Sequence, residues 1–216
     1  QIVSKAVSNK TTMSILECIL IDARDGQIRL VANDMDLGIE TFVEGEIIES
    51  GIVAIECKVF SEIVRKLPDS NIFIDVYDDF KVNIECENSK FSILGRNWEE
   101  FNDLPNIDKT DGIIISEFAL KEIIHQTIFS ISDNDTNKIM GGELFEINND
   151  TLRVISLDGH RISIRKITLK NDYGFKKCIV PGKSLNDLSK NLSGSADQDV
   201  TIYMADKFII FEFNID

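Results

Sequence analysis

The chain has 216 residues, 43% apolar and 28% charged, with three prolines and a formal net charge of −14. This composition belongs to a folded protein, argues against long linkers, and disfavours a polyanionic partner gripped by the whole surface. No apolar run approaches the roughly 18 residues needed to span a bilayer and no signal peptide opens the chain, so the sequence reads as soluble and cytoplasmic, with no membrane partner.

The opening "QIVSKAVSN" places Ile2, Val3, Ala6 and Val7 at helical spacing with no capping residue before them, as in a helix whose natural start is missing. From Ile15, "ILECILIDARDGQIRLVANDMDLGI" predicts three strands separated by a polar turn at "RDG" and a tight turn at "NDMD". From Val53, "VAIECKVFSEIVRKL" predicts a short strand and an amphipathic helix of about three turns. "NIFIDVY" and "KVNIE" follow with two-residue alternation. Pro105, Asp108 and Gly112 in "LPNIDKTDG" are breakers, so residues 105–111 predict a linker between domains 1–104 and 112–216.

In the second domain Ser116 is a plausible N-cap for "EFALKEIIHQTIF", whose Leu120, Ile123, Ile124, Thr127 and Ile131 form one apolar stripe. "IMGGELFEINNDTLRVISLDGHRISI", from Ile139, then matches the segment from Ile15 without a gap: Leu20 falls on Leu144, Arg29 on Arg153 and Asp34 on Asp158. "CIVPGKSLNDLSKNL", from Cys178, matches the segment from Val53, pairing Lys58 with Lys183, Phe60 with Leu185 and Arg65 with Lys190. "DVTIYM" and "FIIFEF" complete the order. Six elements in one order imply a duplicated α+β domain, each copy with two helices packed on antiparallel sheets. There is no GxGxxG and no phosphate-binding GxxxxGK[ST].

Lys58 and Arg65 lie two helical turns apart, as do Lys183 and Lys190, so each pair shares a helix face. Glu62 and Asp187 stand four residues after the first lysine of each pair, as a solvated face with ion pairs would have them. Recurrence of the basic pair in both halves of an acidic chain favours a locally positive surface suited to phosphates, which Lys5 and Lys10, then Lys121, His125 and Lys138, would extend. Cys18, Cys57, Cys86 and Cys178 are widely spaced, lack a CxxC pair, and read as free buried thiols rather than a metal site.

"LDGHRI", residues 157–162, admits two readings. Asp158 and His160 have the residue types of an acid/base pair with Arg161 to hold an anion. Against this, Asp-Gly is a strong hairpin signal, and no activated nucleophile accompanies the pair elsewhere. The hairpin reading is preferred, with no catalytic residue, no metal and no cofactor assigned.

Taken together, "ILECILIDARDGQIRLVANDMDLGIE" with "RKLPD", and "GGELFEINNDTLRVISLDGHRISI" followed by "CIVPGKSLNDL", resemble the bacterial DNA polymerase III beta subunit, the replicative sliding clamp. The resemblance implies tandem DNA-clamp (processivity-fold) domains, with domain one N-terminally truncated and a third domain absent. It implies a homodimeric ring in the full-length protein that encircles duplex DNA independently of sequence, tethers the polymerase III catalytic subunit, meets the clamp loader, and is itself non-catalytic. The present chain alone is expected to be monomeric.

Carried over by position, the DNA contacts would be Lys10, Arg65, Asn134, Lys138, Lys183 and Lys190, joined by Lys58 from the charge pattern. A partner-peptide pocket would use Met140, Leu157, Gly159, His160, Arg161 and Ile162. Ser14 stands where the family usually has proline, and Leu157 where threonine is common, which makes the pocket rim more apolar. The alternative is a stand-alone peptide-binding adaptor that makes no DNA contact and gives Lys58, Arg65, Lys183 and Lys190 no role.

Overall fold

The computed structural model describes residues 1–8, 11–106, 109–132, 139–205 and 207–214. The chain divides into two compact units, Gln1–Pro105 and Asn106–Asp216. Of the expected linker, 107 and 108 lie outside the described residues.

Unit one contains β1 (Cys18–Asp22), β2 (Ile28–Asn33), β3 (Gly38–Val43), β4 (Ile52–Glu56), α1 (Cys57–Val64), β5 (Phe73–Val76), β6 (Lys81–Cys86) and β7 (Ser89–Leu94). Unit two contains β8 (Ile113–Ser116), α2 (Glu117–His125), β9 (Gly142–Asn148), β10 (Thr151–Leu157), β11 (Ile162–Thr168), β12 (Phe175–Pro181), α3 (Gly182–Asn191), β13 (Asp199–Met204) and β14 (Ile209–Glu212). The four-stranded sheets run β3-β2-β1-β4 and β11-β10-β9-β12, the same order in both units, and all pairings are antiparallel. The three-stranded sheets are β5-β6-β7 and β14-β13-β8.

The helices differ from expectation in length. The residues expected to form a first helix in unit one make only a 3-10 turn, Val3–Ala6, whose Val3 and Ala6 are buried. No side chain caps its first amides, and so short a segment is held by the packing of Val3 and Ala6 and by the Ser8 amide, which donates to the Leu16 carbonyl at 3.1 Å. α1 spans eight residues rather than three full turns, while α3 spans ten. α2 begins as its sequence dictates: the Ser116 hydroxyl accepts the Ala119 amide at 3.2 Å, and Leu120, Ile123, Ile124 and Thr127 are buried.

Each unit packs its helices against one face of its four-stranded sheet. In unit two this core includes Phe145, Ile147, Leu152, Val154, Leu120, Ile124 and Leu185. In unit one Ile21, Val53 and Ile55 meet Ile63 of α1 with Val82 and Ile84 of β6. Strand alternation then turns Leu20, Val31 and Ala54 to the opposite face. That face is roofed by the segment after β7: Arg96 bridges to Ala54, and Phe101, Trp98 and Leu104 join Leu20, Val31 and Ala54 in one apolar cluster. Asp103 of this strap binds Arg29 on β2 through two hydrogen bonds of 3.0 and 2.7 Å.

Candidate nucleic-acid interface and peptide pocket

Lys58 is exposed on the first turn of α1, and Arg65, its C-cap, keeps a helical φ of −65° and donates its amide to the Ser61 carbonyl. The backbone therefore carries Arg65 two turns on from Lys58, as the spacing predicts. Neither makes an ion pair among the described residues, so Glu62 does not neutralise Lys58 as the sequence suggested. Lys66, also exposed, follows Arg65 and adds a cation that the seven-residue pattern did not select.

On α3, Lys183 and Lys190 are both exposed. Asp187 is bonded to Lys190 at 3.1 Å, a one-turn pair near the helix C-terminus, where a cation also favours the helix dipole. Such an exposed pair is worth well under about 1 kcal/mol, so a phosphate oxygen competes readily for Lys190. Lys121 behaves differently: its ammonium donates to the Leu192 carbonyl at 2.8 Å and ties α2 to the end of α3, a structural task. His125 is exposed in the last turn of α2, and Lys5 is half-buried in the opening 3-10 turn. Lys10, Asn134 and Lys138 lie outside the described residues.

The "LDGHRI" segment joins β10 to β11, with Leu157 directly opposite Ile162. Gly159 has φ +89°, a conformation open to glycine at the first central position of a two-residue turn. One oxygen of Asp158 accepts the amides of His160 and Arg161, each at 3.0 Å, and the other accepts Arg161 Nε at 2.8 Å. The His160 amide foremost, with the Arg161 amide and guanidinium, holds the Asp158 carboxyl below the usual carboxylate range. Both carboxylate oxygens are thus committed to the turn, and Asp158 presents no free oxygen to an imidazole.

The turn anchors one functional side chain, that of Arg161. The Arg161 guanidinium, anchored on Asp158, also lies 5.9 Å from the centre of the Phe129 ring. His160, Leu157 and Ile162 are exposed beside it, and Met140 is half-buried two residues before β9, its carbonyl accepting the Ser132 amide. An apolar pair next to a pre-oriented cation and an imidazole suits a peptide with apolar and acidic groups. Phe129 was not foreseen, because nothing local in the sequence links it to a residue 32 positions away.

In unit one the same turn recurs with different chemistry. Asp34 accepts the amides of Asp36 and Leu37, as Asp158 does those of His160 and Arg161, but the cation and imidazole are replaced by Leu37 and Asp36. The four thiols are free; burial pushes those of Cys18 and Cys178 up to about 11. No group of metal-ligating side chains occurs among the described residues, nor any helix long and apolar enough to cross a membrane.

Comparison with known proteins places these features in a family. Residues 1–105 match the N-terminal domain of the DNA polymerase III beta subunit, and residues 114–215 match its central domain. The beta sliding clamp of Halalkalibacterium halodurans is 39% identical over 201 residues, which are 88% of this chain and 53% of that protein. That of Staphylococcus epidermidis is 33% identical over 215 residues, 96% of this chain and 57% of that protein. Among solved structures, a DNA polymerase III beta subunit of Eubacterium rectale superposes with a TM-score of 0.96 at 56% identity, covering 99% of this chain and 59% of that one. The DNA polymerase sliding clamp of Bacillus subtilis gives 0.94 at 32%, covering 98% and 58%. The chain therefore spans little more than half the length of these relatives.

Proposed function

The chain belongs to the DNA polymerase III beta subunit family, and from that premise we propose that it forms the N-terminal and central domains of a DNA sliding clamp. In the full-length protein these domains join a homodimeric ring around duplex DNA in the cytoplasm, tether the replicative polymerase and meet the clamp loader, without catalysing a reaction. The observation that carries this reading is the recurrence of exposed Lys58 and Arg65 on α1 and exposed Lys183 and Lys190 on α3, equivalent positions in two units of a chain with net charge −14. Cations confined to equivalent helix faces hold phosphates loosely, while the acidic remainder repels them, as sliding requires. Lys10, Asn134 and Lys138 are assigned to the same surface by the family resemblance.

The hairpin supplies a second activity. Leu157, Gly159, His160, Arg161 and Ile162, with Met140, form this chain's part of a partner-peptide pocket. A free-standing adaptor would use the hairpin alone and leave the helix cations idle.

The deciding experiment neutralises Lys58, Arg65, Lys183 and Lys190 in the full-length protein and measures retention on primed circular DNA and polymerase processivity as salt is raised. The expected result is faster release and a log–log salt dependence shallower by about 0.9 per lost phosphate contact. Unaltered retention and processivity would leave the adaptor standing. Alanine at His160 and Arg161 is expected to weaken binding of a polymerase tail peptide and to leave ring formation intact; equal affinity removes the pocket assignment.

A further inference from the structure

The helix-facing sides of the two four-stranded sheets differ beside the tight turns. In unit one Ile19 and Ala32, with Ile39 opposite Ala32, pack on Val3 and Ala6 of the opening 3-10 turn. The aligned positions in unit two are Glu143 and Ser156, with Ser163 opposite Ser156 and Val180 of β12 opposite Glu143. Glu143 and Ser156 are buried, as are Thr127 and Ser130 above them. A polar row thus replaces an apolar one inside the fold, where each polar group needs a partner.

Most of these partners lie in a second 3-10 turn, Ile128–Ser130, which follows α2 through Thr127. The Thr127 carbonyl accepts the Ser156 hydroxyl at 2.5 Å and the Ser130 amide at 3.1 Å. The Ser130 and Ser163 hydroxyls bond to each other at 2.6 Å. The turn is therefore fastened to β10 and β11, and its middle residue, Phe129, is exposed with its ring 5.9 Å from the Arg161 guanidinium. Just beyond it the Ser132 amide reaches the Met140 carbonyl at 2.8 Å. One short turn thus joins Phe129, Arg161 and Met140, and Glu143, three residues after Met140, lies beneath it.

Within this set Glu143 is the group left over, since neither of its carboxylate oxygens is hydrogen-bonded. The nearby Thr127 hydroxyl has given its proton to the Ile123 carbonyl at 2.7 Å, but its oxygen keeps lone pairs. A carboxylate there faces only acceptors, whereas a carboxylic acid has an O–H to donate to Thr127. Burial is what favours the acid, opposed only by Thr127. Of the titratable groups on the surrounding elements, Arg165 of β11, His125 of α2 and Lys183 of α3 are exposed, and Cys178 of β12 is a neutral thiol. We propose that Glu143 is a proton-operated positioning residue of the partner-peptide pocket. With its proton it secures Thr127 and holds Phe129 against Arg161; without it, water enters to solvate the carboxylate and the 128–130 turn comes loose. The proposal rests on the reading of the hairpin as that pocket.

The test uses the full-length protein and a fluorescent polymerase tail peptide, with Kd measured by anisotropy between about pH 6 and about pH 8. A pocket that requires the proton is expected to lose about tenfold in affinity over that range, as a group held at about 7 dictates. Glu143→Gln keeps a donor and cannot ionise, so it is expected to remove that loss; slopes from the peptide or from other pocket groups are common to both proteins and cancel. A second readout needs no peptide: hydrogen-exchange protection of residues 127–132, corrected for the intrinsic pH dependence of exchange, is expected to fall with rising pH in the native protein and to stay level in Glu143→Gln. Parallel affinity profiles in the two proteins overturn the proposal and leave the pocket standing, and protection that does not change with pH overturns it as well. Absence of peptide binding at every pH overturns the pocket reading and the proposal with it.

Discussion

The outer sheet faces of the two units share a strand order, a register and an aligned set of aliphatic positions, yet one is a core and the other a surface. Leu20, Val31 and Ala54 lie under Phe101 and Trp98, whereas Ile179 and Ile164 meet solvent. Duplication of a sheet therefore duplicates a hydrophobic row without fixing what covers it. The cover comes from chain outside the repeated strands, and its contribution can be measured by removing it on one side only. Phe101→Ala is expected to destabilise unit one by about 3 to 5 kcal/mol, the range for a buried phenylalanine, in denaturant unfolding followed by Trp98 fluorescence. Ile179→Ala in the 216-residue chain is expected to cost less than about 1 kcal/mol, since the side chain is already largely wet. Equal losses at the two sites would mean that the strap carries no more of the fold than open surface does.

A second contrast lies on the inner faces. Ile19, fully at home among apolar neighbours in unit one, is replaced in unit two by Glu143, buried with neither carboxylate oxygen hydrogen-bonded. The nearby Thr127 hydroxyl is already donated to the Ile123 and Ile124 carbonyls at 2.7 and 3.3 Å, so it offers Glu143 little relief. Burial pushes the Glu143 carboxyl up to about 7, against an ordinary 4.5. Between those values the unfolded chain has released the proton and the folded one retains it. Stability of unit two is therefore expected to fall as pH rises from about 4.5 to 7 and to level off above, by on the order of 2 to 3 kcal/mol. Glu143→Ile, which restores the residue of unit one, is expected to flatten that dependence and stabilise the unit at about pH 8. A slope that survives the substitution would place the titration elsewhere.

Much of this organisation was legible in sequence because it rests on local rules. The alternation of Leu20, Ile21 and Asp22 against Leu144, Phe145 and Glu146, the Ser116 cap and the Asp34 and Asp158 turns each follow from a few neighbouring residues. Lys58, Arg65, Lys183 and Lys190 were found because helical spacing alone puts each pair on one face. What stayed hidden depends on contacts between distant residues. Nothing in "RNWEEFNDL" announces that Phe101 roofs Leu20 or that Asp103 finds Arg29. The removal of Lys121 from the positive set, through its bond to Leu192, is of the same kind, and so is the approach of the Arg161 guanidinium to the Phe129 ring.

The smallest contrast is a single backbone angle, and it separates turn geometry from site chemistry. Met35 and Gly159 are equivalent in the two hairpins, and both have positive φ, +77° and +89°. An L side chain in that region crowds the neighbouring carbonyl, at a cost of roughly 1 kcal/mol or more that glycine escapes. Unit one bears this cost because the Asp34 carboxylate accepts the amides of Asp36 and Leu37 and holds the turn in place. Met35→Gly is accordingly expected to raise stability, by about 0.5 to 1 kcal/mol once the added freedom of the unfolded chain is deducted. Gly159→Ala is expected to lower it by about 1 kcal/mol, and purely through the backbone, because a Cβ there meets no atom within 4 Å. Opposite signs in thermal unfolding would identify one turn geometry with two degrees of strain. If Met35→Gly is instead destabilising, the methionine side chain must contribute packing that outweighs its backbone. Such packing would have to come from groups other than Asn102, whose amide 3.4 Å from the Met35 sulfur is too weak a contact to offset that strain.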